Sequence, residues 1–139
     1  MKLSEIVNKF NDYIEEMLGQ LSSCVDDEDV RIYKGMFKKL RIVNSTKGIE
    51  QFIIYALPHK DKIVSQDESF FLNHDEASLI NDSREESIMQ TLKFKELWGT
   101  LSDNSKENLF KFFQVLIYYA EEYFKIKYNK MIGENIGCH

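Results

Sequence analysis

Proline occurs once in the 139 residues, at Pro58, and glycine six times. So few turn formers exclude a turn-rich β-sandwich, and the same scarcity argues against extended disorder. Cysteine occurs twice, at Cys24 and Cys138, too rarely to staple a domain of this size and in keeping with a reducing compartment. The longest apolar stretch, residues 109–120, is interrupted by Lys111 and Gln114 and is too short to span a bilayer, so no membrane partner is expected. Glu5 and Asn8 fall where a secretory signal needs an unbroken apolar core, which makes an intracellular location the expectation. The net charge of −5 gives an acidic chain with no global attraction to nucleic acid.

What is present is aromatic. Ten Phe, seven Tyr and one Trp supply a dense core, and they concentrate in residues 104–128. A helix that is apolar nearly all round has to be wrapped by other elements, because any open side would leave aromatics in water. The fold class expected is therefore all-α: a compact bundle of five to six helices around a central C-terminal aromatic-rich helix. Residues 1–130 read as a single helical domain and residues 131–139, with Gly133 and Gly137, as a frayed tail.

The first helix is the plainest. Leu3, Ile6, Val7, Phe10, Tyr13, Ile14, Met17, Leu18 and Leu21 recur at three- and four-residue steps and form one stripe. The acids at Asp26, Asp27 and Glu28 suit a helix start, where the helix dipole favours negative charge. A second helix follows over residues 29–43 with Val30, Tyr33, Phe37 and Leu40 inside, and Gly35 as a weak point of about 1 kcal/mol relative to Ala. Ser45 or Thr46 can cap a third helix whose inner face is Ile49, Phe52, Ile53, Ala56 and Leu57. Pro58 then forces a break. Short helices are expected over residues 60–66 and 67–72, a polar surface loop over 73–83, and a fifth longer helix over 85–99 that buries Trp98. Ser102 to Asn104 supply caps for the central helix, and Asn104 with Glu107 resembles a capping box.

Charge is distributed unevenly. Residues 30–49 contain Arg31, Lys34, Lys38, Lys39, Arg41 and Lys47 and no acid; without those six of the 18 cations, 12 face 23 acids and the remainder carries −11. Arg31, Lys34, Lys38 and Arg41 lie on one side of the second helix, away from Tyr33 and Phe37. Such a stripe can meet an acidic protein surface or a nucleic acid, or it can be a solvated face that pairs with acids of its own chain. Without aromatics on that face, the stacking part of a single-strand site is missing. A second candidate contact is one edge of the central helix, where Phe110, Lys111, Gln114, Tyr118 and Tyr119 bring tyrosine and aromatic edges to a narrow polar line. A surface sliver with a snorkelling Lys111 is the plainer reading of that edge.

No catalytic residue, cofactor loop or metal set stands out. Asp67, Glu68, His74, Asp75 and Glu76 fit neither a calcium loop nor the paired histidines of a zinc helix, and Cys138 with His139 lacks two further ligands in reach. The chain therefore reads as non-catalytic, with no cofactor and no metal, and with a protein partner (possibly a second copy of itself) ahead of nucleic acid.

The segments 67–72, DESFFL, and 97–116, LWGTLSDNSKENLFKFFQVL, resemble a group of small uncharacterised proteins encoded by large DNA viruses of algae and protists. The match is a Leu-Trp pair, a polar cap and then Lys-Glu leading into an aromatic helix. The resemblance implies expression inside an infected cell, as a virion component or an infection-phase factor, and it assigns no functional residues.

Overall fold

Apolar side chains at helical spacing become helices here. The computed structural model describes residues 1–25, 28–72 and 94–136. Among the described residues every regular element is helical. These are α1 (Leu3–Cys24), α2 (Glu28–Val43), α3 (Lys47–Ala56), a 3-10 turn at Leu57–His59, α4 (Lys60–Val64) and α5 (Ser69–Leu72). After residues 73–93 come α6 (Phe94–Thr100) and α7 (Asp103–Ile136). The expected loop at 73–83 and the first part of the helix expected over 85–99 fall outside the described residues.

α7 is the spine. Leu109, Phe113, Leu116, Ile117 and Ala120 are buried along it. α1 packs antiparallel to it: Leu21 and Cys24 lie beside Ser105 and Leu109, and Tyr13 lies beside Phe112 and Tyr119. A chain of ring contacts ties the other elements to the spine. Phe52 of α3 meets Phe10 of α1 at 5.3 Å and Phe113 at 5.7 Å. Phe70 and Phe71 of α5 meet Phe113 at 5.8 and 5.2 Å. Trp98 stacks on Phe71 at 4.5 Å and meets Phe110 edge-on at 5.3 Å. Each such pair contributes about 0.5–1.5 kcal/mol beyond the area it buries.

The expected interiors of α1 and α2 are the observed ones, with Leu3, Tyr13 and Leu40 half-buried at the rim. In α3 the inner face also takes in Tyr55, which periodicity alone does not place there. Pro58 occupies the first turn of the 3-10 segment, where its missing N–H costs nothing, and the chain re-enters a helix at Lys60. Of the caps expected over residues 102–104, α7 uses Ser102: its hydroxyl accepts the Ser105 N–H at 3.2 Å. One boundary differs from expectation. At the other end the helical backbone passes Tyr128 and continues to Ile136.

One link between elements is polar. Asn11, 1% exposed, lies inside the apolar stripe of α1 and donates its Nδ2 hydrogen to the Ser45 carbonyl at 2.9 Å. It fixes the α2–α3 turn against α1.

Candidate functional site

The basic stripe of α2 is divided by its neighbours. Arg41, in the last turn, folds back on α1, where its guanidinium pairs with Asp12 at 2.7 Å and more closely with Glu15, and donates to the Asn8 carbonyl at 3.3 Å. Burial alone would lower the Arg41 guanidinium, and the hydrogen bonds to Asp12 and Glu15 outweigh it and hold it above the ordinary arginine range. Lys34 also runs along α1: its Nζ lies 3.8 Å from where a Cβ would stand on Gly19. Arg41 therefore pins α2 to α1, with Lys34 lying alongside. Arg31 and Lys38 are exposed, as is Lys39 on the same outer side.

Beside these cations the outer side of α2 carries apolar residues. Ile32 is 47% exposed, Met36 39%, Ile42 84% and Val43 85%. On a helix, residues 32, 36, 39 and 43 make one line and residues 31, 35, 38 and 42 the line beside it. Both lines point away from Val30, Tyr33 and Phe37, which are buried. The result is an open strip of three turns, apolar and positive with no acid in it. Its signal was present in the sequence: Ile32, Met36, Ile42 and Val43 are apolar positions that the inner stripe of the same helix does not use.

The expected edge of α7 separates in a different way. Phe110 is buried between Trp98 and Phe71 and presents no edge to solvent. The cause is α6, which brings the indole over that side of α7. Gln114 reaches α4 instead of solvent, its Nε2 donating to the carbonyls of Ile63 at 3.2 Å and Val64 at 3.3 Å. Those carbonyls end a short helix; that of Ile63 also accepts the Gln66 N–H at 3.2 Å, and Gln114 adds a second donor there and one for Val64. Glu121 pairs with Lys60 at 2.9 Å, again toward α4. Lys111 pairs with Glu107 one turn back at 3.6 Å and is well exposed. Tyr119 is half-buried against Tyr13 at 5.8 Å, which leaves Tyr118, 49% exposed, as the ring of this edge that faces water.

A third polar group joins α3 to α7. Glu50 accepts from Lys127 at 2.7 Å and from the Tyr123 hydroxyl at 3.2 Å, and bonds to the Thr46 hydroxyl at 3.3 Å. The Lys127 hydrogen bond is the main reason the Glu50 carboxyl is held below its usual range, with partial burial opposing it. On Tyr123, burial comes first and raises the hydroxyl. The group closes the end of the bundle.

Two voids of about 20 Å³ lie between α1, α2 and α3 and between α1 and α7. A shallow open groove of about 340 Å³ runs past Tyr13, Glu16, Gln20, Lys111 and Phe112. Among the described residues no three His, Cys, Asp or Glu gather as metal ligands, and no helix is long and apolar enough to cross a membrane. His59 packs beside the Phe70 ring at 5.8 Å, and Cys24 is exposed with a free thiol. His74, Asp75, Glu76, Cys138 and His139 fall outside the described residues.

The chain is similar to an uncharacterised protein of Acanthamoeba polyphaga mimivirus, with 26% identity over 128 residues that span 86% of this chain and 70% of the relative. No family model matches the chain, and no solved structure matches it.

Proposed function

We propose that this chain is a virus-encoded, non-catalytic interaction protein of the infected cell or the virion, and that it docks a protein partner through the outer side of α2. The observation that carries the reading is the exposure of Ile32, Met36, Ile42 and Val43 beside Lys38 and Lys39 on one helix. Four large apolar residues in water on a three-turn strip cost solubility and add nothing to the bundle, whereas buried against a partner they supply the apolar centre of an interface and the cations its rim. The similarity to a mimivirus protein supports the viral setting. Nucleic acid is the weaker partner, because Arg41 is committed to α1 and the strip offers no ring on which a base could stack.

The test compares the full chain with its Ile32→Asp, Val43→Asp double variant as bait in extracts of infected host cells, read by mass spectrometry after nuclease treatment. Both substitutions lie on exposed positions, so thermal melts of the two baits should coincide. The expected result is a protein retained by the parent chain and lost by the variant. Equal retention by both baits would remove α2 as the docking surface, and retention abolished by nuclease would move the reading to nucleic acid.

A further inference from the structure

Resting on that reading of α2, we infer that the strip takes an acidic amphipathic helix of a protein partner, laid across α2 with its closest approach over Gly35. Three features of the strip select this occupant.

The first is Gly35 itself. It lies at the middle of the outer side, between Ile32 and Lys38, and its φ is not positive, so nothing in the backbone requires glycine. A Cβ built there meets nothing within 4 Å, so nothing in the packing requires it either. Glycine inside a helix is less stable than alanine, and the bundle gains nothing for that loss. A helix crossing over position 35 does gain, because the missing side chain lets two backbones come close at the crossing point.

The second is shape. Ile32, Met36 and Val43 repeat at steps of four and seven, and the span from 32 to 43 is about 16 Å at about 1.5 Å per residue. A partner helix of three to four turns with anchors at i, i+4 and i+7 covers that length, the pattern by which amphipathic helices dock on apolar surfaces.

The third is charge. Lys38 and Lys39, both exposed, border the apolar residues, and residues 30–49 contain no acid. A partner helix with Glu or Asp flanking its apolar line complements this border. A second copy docking by the same strip would bring two positively charged, acid-free strips together, which like-charge repulsion disfavours.

The probe is a synthetic 18-residue helical peptide with Leu at i, i+4, i+7 and i+11 and Glu on its flanks, set against the same peptide with Lys in place of Glu. Binding to the full chain is read by fluorescence anisotropy and by amide shifts. The Glu peptide is expected to bind saturably with shifts centred on residues 31–43, and the Lys peptide about tenfold or more weaker. Gly35→Leu should weaken the Glu peptide by a similar factor of about ten with no fall in melting temperature, whereas Gly35→Ala should weaken it less. Equal binding of the two peptides, or shifts confined to the groove beside Tyr13 and Phe112, would overturn the inference. So would self-association of the full chain in sedimentation equilibrium that Ile32→Asp abolishes, which would name a second copy as the occupant. If neither peptide binds while the capture from extract still depends on Ile32 and Val43, the acidic helix is wrong and the docking surface stands. If the capture is lost as well, both fall.

Discussion

Asn11 illustrates how much one polar side chain can hold. Its amide satisfies the Ser45 carbonyl from within an otherwise apolar stripe. Asn11→Ala removes that bond and strands the carbonyl, so it should cost about 1–3 kcal/mol in a denaturant melt. The residue is in register four after Val7 and three before Ile14, which marks it as buried, but its partner 34 positions away belongs to tertiary structure. Gln66 stores a smaller strain. Its φ of 58° puts a side-chain-bearing residue in the left-handed region, where it ends α4: the Gln66 N–H returns to the Ile63 carbonyl and the Asp67 N–H to that of Lys62. Gln66→Gly should raise stability by about 0.5–1 kcal/mol, read from the same melts. Glu50 sets a pH dependence. Its folded carboxyl, held down chiefly by Lys127, titrates below the unfolded one. Its contribution is therefore full above the unfolded value of about 4.3 and fades as pH falls through the lower folded value. Stability measured from pH 7 down to 3 should fall less steeply in Glu50→Gln than in the parent chain.

At the scale of elements, α7 is a helix enclosed on most sides, and that enclosure is measurable. Phe113 and Leu116 have no solvent exposure. Phe113→Ala should cost about 3–5 kcal/mol, and a loss under about 1 kcal/mol would show that this face of α7 is not core. The inner stripes of α1, α2 and α3 were legible because each helix packs by one face and the 3.6-residue period therefore survives in its sequence. α7 was legible as a core helix for the opposite reason, since its apolar residues cover nearly every side. What packs on a given edge of it was not. Phe110 read as a partner edge until Trp98 is seen to cover it, and Gln114 as surface until the end of α4 is seen to need a donor. Ser102 and Asn104 both read as cap formers, and only the hydrogen bond to Ser105 chooses between them.

For the molecule as a whole, the decisive feature is that one helix faces two ways. α2 gives Val30, Tyr33 and Phe37 to the core and Arg41 to α1, while its outer side keeps apolar residues and cations in water. The charge concentration over residues 30–49 was readable from composition, whereas the commitment of Arg41 to α1 was not, because Asp12 and Glu15 lie far away in the chain. The apolar content of the outer side was readable too, once the inner stripe was subtracted from the helix. Methyl NMR of the full chain with a soluble paramagnetic probe puts this arrangement to the test in one spectrum. The methyls of Ile32, Ile42 and Val43 should relax strongly, while those of Ile6, Ile49 and Ile63, which have no exposure, should be almost untouched. Methyls of Ile32, Ile42 and Val43 as protected as that of Ile49 would mean that the outer side of α2 is already covered and is not a docking surface.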